Sequence, residues 1–507
     1  MGRPAGYWLT RFLFLRLIGF IYLMAFLVLA NQAPALFGET GLLPAMAYLE
    51  TIGKQFLTKQ DAFLALPSLF WFKLTDPLMT GLACLGAGLS LLVVLGFANA
   101  ILMTLIWFLY MSFVHIGQIW YGYGWEIQLL ETGFLAIFLC PLIDPRPFPK
   151  TPPPEPVIWL LRWLAFRIML GAGLIKIRGD ACWRDLSCLS YHYETQPIPN
   201  PLSRWIHFRP AWFHEAGVLW NHLTELIAPF FIFGPRAARH IAGGLLVFFQ
   251  IILILSGNLS FLNWLTIAPC IACFDDGFLR HLLPKWLVAR ADRAAALAGS
   301  RPGASKIQPV VAWALVVLIL WQSVAPVRNL FSNRQIMNTS FNQLHLVNTY
   351  GAFGSVGRQR PEIIIEGTGD SILTSRTEWK AYEFKAKPGD PDRRPSVVSP
   401  YHHRIDWQIW FAAMSDPAHH PWVVHLVWKL LHNDPQSLGL LANNPFPDAP
   451  PKFIRAELYR YRFAPSGPGA GRGVYWHRER LGVWLPPLWV DHPDFRRFLA
   501  AHGWIRP

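Results

Sequence analysis

Ionisable side chains within apolar stretches are the residues of this sequence most able to do chemistry. Lys176 lies near the end of a long apolar run, and His115, Glu126 and Glu131 lie in or beside others. An amine that loses part of its hydration gives up its proton more readily, so Lys176 is a candidate general base, and the other three could complete a polar cavity. The alternative is structural: Lys176 extends to the membrane surface, and Glu126 pairs with it or with Arg178.

A short polar run, Tyr193–Pro201, separates two apolar parts of the chain. Its three prolines fix φ and remove three backbone donors, which excludes a helix or an inner strand. Glu194, Gln196 and Asn200 are therefore expected to project from a stiff, extended backbone and to form a functional rim. Recognition or the mouth of a catalytic cavity would suit such a loop, and a tightly packed linker is the alternative.

Six cysteines are present, and two of them, Cys182 and Cys188, lie just before the polar run. An oxidising compartment favours a disulfide between Cys182 and Cys188, with free thiols or a redox-active pair as alternatives. Cys270 and Cys273 form a CxxC pattern within an apolar helix, which favours two buried thiols over a thioredoxin-like or metal site. The remaining two are interpreted as core residues: Cys84 and Cys140.

The composition indicates a membrane protein. Of the 507 residues, 53% are hydrophobic and only 15% are charged, and the mean hydropathy is +0.28. A soluble protein carries about 25% charged residues. The net charge of +14 could suggest nucleic-acid binding, but Lys and Arg held on the cytoplasmic side of a membrane explain it better, so no nucleic-acid partner is expected.

Nine segments have about the length and apolarity needed to cross roughly 30 Å of hydrocarbon. They lie near residues 11–30, 77–96, 98–116, 127–143, 157–177, 218–234, 240–256, 259–274 and 309–326. The first is interpreted as a retained anchor, because it is long enough to span and further spans follow it. Two pairs of segments meet with almost no loop, so the prediction is of about nine spans.

The distribution of Lys and Arg predicts an orientation. With nine spans, four basic regions fall on one side, which the positive-inside rule makes cytoplasmic. These regions contain Arg3 and Arg11; Arg146 and Lys150; Arg236 and Arg239; and Arg280, Lys285, Arg290, Arg293, Arg301 and Lys306. Residues 31–76, 178–217 and everything after about 327 then face outward.

From about residue 329 the pattern changes from apolar runs to alternation. Strands are predicted from a period of two at 362–366, 379–385 and 457–463. Residues 405–442 predict helices packed on a sheet, and the Pro- and Gly-rich segment 464–473 predicts a flexible connection. The predicted fold is a polytopic α-helical membrane domain, residues 1–328, followed by an outward-facing β-rich α+β domain, residues 329–507.

The C-terminal half carries a cluster of six histidines: His402, His403, His419, His420, His425 and His432. No HExxH or evenly spaced Cys/His set accompanies them, so hydrogen-bonded or surface histidines are favoured over a zinc site. Residues 354–357, GSVG, lack the spacing of a hydrolase nucleophile elbow. Neither a metal nor a cofactor is expected.

Several motifs resemble the lipase maturation factors, integral membrane proteins of the animal endoplasmic reticulum with bacterial relatives. They are YWLTR at 7–11, GLLP at 41–44, GDACWRDL at 179–186, YETQPIPNP at 193–201, GNLSFLNW at 257–264, NTYGAFG at 348–354, PYHHRIDW at 400–407 and YRY at 459–461. The resemblance implies a chaperone-like factor that assists secreted dimeric lipases to fold and assemble beyond the membrane. Its expected partners are membrane lipids and secreted lipase-like clients.

The compartment depends on the host. A composition rich in Ala, Arg, Pro and Trp favours a bacterial-type member of the family, located in the inner membrane with its C-terminal domain in the periplasm. In a eukaryote the same orientation would place that domain in the lumen of the endoplasmic reticulum.

A second similarity is local. Residues 171–176, GAGLIK, followed by Trp183, are similar to a membrane helix of the vitamin K-dependent carboxylase group. In that group a lysine in this setting is a catalytic base, which implies the same role for Lys176. The alternative function is therefore a membrane enzyme that acts at the outward face on a lipid, quinone or protein.

For the assembly-factor function, the C-terminal domain is expected to contact clients. Exposed aromatic side chains would bind partly folded surfaces, and four tryptophans are candidates: Trp407, Trp410, Trp422 and Trp428. Arg404 with Asp406 is predicted to tie this domain to the Glu194–Asn200 rim.

Overall fold

The computed structural model describes residues 6–299, 307–465 and 473–506. Up to residue 331 the chain is predominantly helical. In chain order the helices are α1 (Trp8–Phe37), α2 (Ala45–Gly53), α3 (Lys59–Ala65), α4 (Asp76–Leu95), α5 (Ala100–Ile116), α6 (Gly124–Leu139), α7 (Glu155–Arg178), α8 (Leu189–Thr195), α9 (Pro201–His207), α10 (Ala211–His222), α11 (Ala228–Phe231), α12 (Arg236–Ser256), α13 (Leu262–Cys270), α14 (Asp276–Leu279), α15 (Lys285–Gly299), α16 (Ile307–Gln322) and α17 (Val324–Phe331). A π-helical segment, Leu223–Ile227, joins α10 to α11.

Five stretches of helix in the described part of the chain are long and apolar enough to cross a membrane. They are Trp8–Phe37, Asp76–Leu95, Glu155–Arg178, Arg236–Ser256 and Ile307–Phe331. The chain is therefore an integral membrane protein. Each of the nine predicted segments overlaps a helix, but several of these helices are short, such as Ala100–Ile116. Helix length thus supports five spans, and the count of nine stays a prediction.

Close packing of α1 along α4 forms part of the bundle. Two glycines allow the approach. A Cβ at Gly86 would lie 2.3 Å from Cε1 of Phe26, and one at Gly19 would lie 2.7 Å from a methyl carbon of Val93. Small residues at helix contacts serve membrane proteins in this way, because helices buried in lipid associate through close packing.

The described C-terminal residues form one antiparallel sheet with helices beside it. The elements are β1 (Arg360–Thr368), β2 (Lys380–Tyr382), α18 (Arg404–Ala412), α19 (Pro421–Leu430), α20 (Pro435–Leu440), β3 (Phe453–Phe463), β4 (Trp476–Leu488) and α21 (Pro493–Ala501). The sheet has four strands in the order β2-β1-β3-β4, with Ile363 opposite Leu458 and Tyr461 opposite Arg478. Helix α18 packs against β1.

Most elements of this region agree with the prediction. The three predicted strands fall on β1, β2 and β3, and the predicted helical stretch contains α18, α19 and α20. Strand β4 was not predicted, because its middle residues are charged and exposed and give no apolar alternation. Of the predicted flexible connection, residues 466–472 lie outside the described residues.

Candidate functional site

Buried ion pairs are the main polar feature of the helical bundle, and the first involves Lys176. Its Nζ donates to both carboxylate oxygens of Glu225, at 2.6 and 2.7 Å, and lies 5.0 Å from the ring centre of Trp183. Lys176 and Glu225 are both almost fully buried. The carboxylate comes from the π-helical segment between α10 and α11, where one helical turn is wider than usual. The side chain of Lys176 thus ends in a buried ion pair and does not extend to the surface.

The second ion pair joins α6 and α7. Glu131 accepts a hydrogen bond from Arg167, and its other oxygen accepts from the backbone N–H of Asn348, at 3.0 Å, and the hydroxyl of Tyr350, at 2.6 Å. Arg167 also donates to the carbonyl oxygen of Asn348, at 2.8 Å. These contacts fix the segment around residue 348 in the interior of the bundle.

The third ion pair connects the bundle to the sheet region. Arg404, at the start of α18, donates to Glu126 at 2.6 Å and to the carbonyl oxygen of Trp120 at 2.6 Å. The guanidinium lies 3.5 Å from the ring centre of Tyr121, and Tyr110 donates its hydroxyl proton to the same carboxylate. Both charged side chains are completely buried. A guanidinium can donate to the Glu126 carboxylate and to the Trp120 carbonyl oxygen at once, because its N–H groups point in several directions within one plane.

His115 belongs to a separate contact. Its Nδ1 lies 2.7 Å from the carbonyl oxygen of Pro67, and its Nε2 lies 3.0 Å from Nε2 of His345. Burial, together with the neighbouring His115, lowers the pKa of His345 to about 3. The imidazole of His345 is therefore neutral at physiological pH.

Three of the four candidate catalytic residues have separate ion-pair partners. Lys176 pairs with Glu225, Glu131 with Arg167, and Glu126 with Arg404. The alternative pairing of Glu126 with Lys176 or Arg178 is wrong. Each of these three charged groups is therefore matched by a buried group of opposite charge.

The Tyr193–Pro201 run differs from its predicted form. Helix α8 ends at Thr195 and helix α9 begins at Pro201, so both ends of the run are helical. Proline is accepted at the first position of a helix, where its missing N–H has no partner to lose. The three prolines therefore exclude a helix only in the middle of the run, between Thr195 and Pro201.

This run is also packed, and its side chains do not form an exposed rim. Gln196 is buried and donates to the carbonyl oxygen of Ser256, at 3.0 Å. Asn200 is buried, caps α9 and donates to the carbonyl oxygen of Leu255, at 2.9 Å. Glu194 accepts from the backbone N–H of Phe463, at 2.7 Å. The tightly packed linker, the alternative to a rim, is the arrangement found.

A buried arginine of β1 holds the same run in place. Arg360 donates to the carbonyl oxygens of Glu194 and Pro197, each at 2.8 Å, and to that of Gln196. Its charge is balanced by Glu362 at 2.6 Å, and no part of its side chain is exposed. The sheet region is thereby attached to the loop as well as to α6.

Arg404 and Asp406 do not form the predicted pair. Residues two apart on a helix point in different directions, so Arg404 contacts the bundle while Asp406 turns toward its own domain. Asp406 accepts from the backbone N–H groups of Ala386, at 2.6 Å, and Lys387, at 2.9 Å. Burial raises the pKa of the Asp406 carboxyl.

The tryptophans predicted to bind clients are only partly available. Trp407 and Trp422 are buried, and Trp410 and Trp428 are half-buried. Trp407 packs edge-to-face against Trp125, with ring centres 5.0 Å apart, so it belongs to the contact between α18 and the bundle. Core packing accounts for the first two residues.

The cysteine predictions are mostly confirmed. Cys182 and Cys188 form a disulfide, and both are buried. Cys270 and Cys273 are free and buried, as expected of core residues. Cys84 is exposed on α4, which contradicts its assignment to the core. Among the described residues, no group of His, Cys, Asp and Glu is arranged to hold a metal ion.

Three important charged residues were absent from the predicted site: Glu225, Arg167 and Arg360. Two of them could have been found, because Arg167 and Glu225 lie within predicted spans, where any charged residue calls for a partner. Arg360 carried no such signal, since it lies just before the predicted strand 362–366, in a polar part of the chain.

The sequence is similar to one family along most of its length. Residues 9–281 match the lipase maturation factor transmembrane domain, and residues 346–486 match the lipase maturation factor C-terminal domain. Lipase maturation factor 1 of Bos taurus is 48% identical over 529 residues, covering 100% of this chain and 94% of the bovine protein. The Homo sapiens protein of the same name is 47% identical, covering 99% of this chain and 91% of its own length. Lipase maturation factor 2 of Xenopus tropicalis is 29% identical, covering 98% and 84%.

These relatives are vertebrate proteins, so they give no support to a bacterial-type assignment. No solved structure matches the chain.

Proposed function

The chain belongs to the lipase maturation factor family, and we propose from that premise that it is a membrane-bound factor that assists secreted lipases, or related exported proteins, to fold and assemble. The observation that carries the proposal is the extent of the similarity. At 48% identity over the whole chain, the relationship includes both the helical bundle and the sheet region, so it is not confined to a shared membrane anchor.

The proposed topology has nine spans, with residues 1–328 as the membrane domain and residues 329–507 on the outward side. The positive-inside rule supports this orientation, since the predicted basic loops then share one side. The outward side is the lumen of the endoplasmic reticulum in a eukaryotic host. Lipids of the surrounding bilayer and secreted lipases are its proposed partners.

The buried ion pairs suit a scaffold that presents a fixed surface to its client. Glu126 with Arg404 fastens α18 to the bundle, and Arg360 fastens β1 to the loop before α9. A client that meets such a preformed surface loses less entropy than one that must also order the factor.

The direct test is complementation. In cells that lack their own lipase maturation factor and express a secreted lipase, the full chain should raise the activity of secreted lipase per unit of lipase protein. A secreted non-lipase enzyme serves as the control and should not respond. Normal accumulation of the chain in the membrane without recovery of lipase activity would reject the proposal.

A second prediction separates a scaffold from a membrane enzyme. Lys176→Met alone leaves the Glu225 carboxylate buried without its cation, and we expect a loss of about 3–5 kcal/mol in stability and low accumulation. Lys176→Met combined with Glu225→Leu removes both charges, so it should accumulate almost normally. Lipase maturation by the double variant, measured in the same cells, should then be close to that of the unaltered protein.

The opposite result would change the function. A double variant that accumulates and retains the disulfide, but fails to mature lipase, would give Lys176 a chemical role and support the carboxylase-like alternative. The ion pair itself favours the scaffold, because the amine already has two short contacts to one carboxylate.

A further inference from the structure

The segment 54–73, between α2 and α4, exposes large apolar side chains that the bundle leaves uncovered. Leu57 is 100% exposed, Phe72 79% and Leu64 61%. Phe56 is exposed as well. Single exposed apolar residues are common, but several within one short segment mark a contact surface.

The surface is preformed by contacts with α5. The hydroxyl of Ser68 donates to the carbonyl oxygen of Ser112, at 2.9 Å, and the hydroxyl of Ser112 accepts from the backbone N–H of Leu69, at 3.2 Å. Phe63 packs against Phe72, with ring centres 6.0 Å apart. The part of the segment from Phe63 to Phe72 therefore has a set position relative to the bundle.

The segment lies where two membrane-spanning helices end. Helix α1 precedes it, and Phe72 stands shortly before Thr75, the N-cap of α4. The two helix ends are joined by reciprocal contacts: the Glu39 N–H donates to Asp76 at 2.8 Å, and the Asp76 N–H donates to Glu39 at 3.0 Å. Since both helices enter the bilayer here, the exposed segment lies beside its boundary.

The charges of the segment fit this position. Lys54, Lys59 and Lys73 are exposed among or beside the apolar residues. Lysine can place its alkyl chain along apolar surroundings while its amine reaches the headgroups. Asp61, within the segment, and Glu50, in α2 just before it, offset two of these charges, so the pattern requires no particular anionic lipid.

We propose that segment 54–73 lies at the membrane interface and inserts Phe56, Leu57, Leu64 and Phe72 into the boundary between lipid headgroups and acyl chains. Continuity with α1 and α4 makes the bilayer its partner. Segment 54–73 then sets the depth of the bundle in the bilayer and the height of the sheet region above the lipid.

Exposed aromatic residues near α10 support this assignment independently. Trp205, Phe208 and Trp212 are all exposed. Their neighbour Arg204 donates to the carbonyl oxygen of Ala464, at 2.9 Å, in the sheet region. Near segment 54–73, Lys429 of α19 donates to the carbonyl oxygen of Thr40, just after α1, at 2.5 Å. Both aromatic groups thus lie at the end of the bundle that carries the sheet region, as an aromatic belt at one membrane interface would.

Depth-dependent quenching tests the proposal on the full chain in lipid nanodiscs. In a Cys84→Ser background, Leu57→Cys is labelled with an environment-sensitive fluorophore, because Cys84 is exposed while the other free cysteines are buried. Lipids that carry a spin label near the headgroup should remove most of its fluorescence. Ile372→Cys, 76% exposed between β1 and β2, is the matched control and should keep its fluorescence.

Two results would overturn the proposal. If the label at position 57 is quenched no more than the label at position 372, the segment faces water, and its apolar surface is a binding site for a protein. If lipids labelled at the chain end quench it more strongly than lipids labelled near the headgroup, the segment is embedded in the bilayer core and is not interfacial. Elution of each labelled variant at the volume of the unaltered protein shows that it is folded.

Discussion

Replacement of Arg404 by Met is expected to lower the free energy of unfolding by about 3–5 kcal/mol, the usual cost of removing one partner from a buried ion pair. The substitution leaves the Glu126 carboxylate completely buried without its cation, although the hydroxyl of Tyr110 still donates to it. It also removes the donor to the carbonyl oxygen of Trp120 and the cation above the ring of Tyr121.

Denaturant unfolding of the purified protein in detergent measures this loss. Arg497→Met is the matched control, because Arg497 pairs with Asp494 on α21 while both side chains are mostly exposed. Exposed pairs contribute about 0–1 kcal/mol. Equal effects of the two substitutions would show that Arg404 does not carry the contact between α18 and the bundle.

The double substitution Arg404→Met with Glu126→Gln adds a sharper test. Both charges are then absent, so no ion remains buried without a partner, and the double variant should be more stable than Arg404→Met alone. If the second substitution makes the protein less stable still, Glu126 contributes through contacts other than Arg404.

The positions of the helices could be predicted from the sequence because apolarity is a local property. The predicted span 157–177 lies within α7, and 240–256 lies within α12. Alternation likewise located the core of β1 at 362–366. These signals need only neighbouring residues.

The partners of the charged residues could not be predicted in this way. Glu126 and Arg404 are separated by 278 positions in the chain, and nothing local connects them. The nearer pair Arg404 and Asp406 looked plausible as a sequence but is excluded by helix geometry, since residues two apart do not face each other. A charged residue within an apolar helix indicates that it has a partner, but it does not indicate which residue that partner is.

The polar run before α9 shows a second limit. Its residue types suggested an exposed loop, yet Gln196 and Asn200 are buried. Buried polar side chains are satisfied by hydrogen bonds, and here these come from the carbonyl oxygens at the end of α12. Polarity alone therefore did not distinguish a recognition surface from a satisfied interior.

Replacement of Arg360 is the second change with a large expected effect. Arg360→Met removes the donors to the carbonyl oxygens of Glu194, Gln196 and Pro197 and the closest cation to Glu362. Each buried acceptor left without a partner costs about 1–3 kcal/mol, so we expect a total loss of at least about 3 kcal/mol. Arg360→Lys keeps the charge but replaces the planar guanidinium by a single ammonium group. Its free energy of unfolding should fall between those of Arg360→Met and the unaltered protein.

Hydrogen–deuterium exchange shows which residues lose protection in Arg360→Met, as well as how large the loss is. In Arg360→Met, exchange should rise in residues 193–200, while the segment around Asn348, held by Glu131 and Arg167, should stay protected. Arg358→Met is the matched control, because Arg358 pairs with Asp180 in a partly exposed bridge only two positions away. That variant should lose no more than about 1 kcal/mol.

The position of the new exchange decides what Arg360 does. Lys387 lies 3.0 Å from Glu362 and remains after the substitution, so the carboxylate keeps one cation and the sheet should survive. Exchange that rises only in 193–200 then identifies Arg360 as the attachment of the loop to β1. Exchange that rises throughout β1 and β3 instead would show that the sheet itself depends on Arg360, and the loop would be a secondary contact. Unchanged exchange in 193–200 would contradict the attachment, because three backbone acceptors would have lost their donor without consequence.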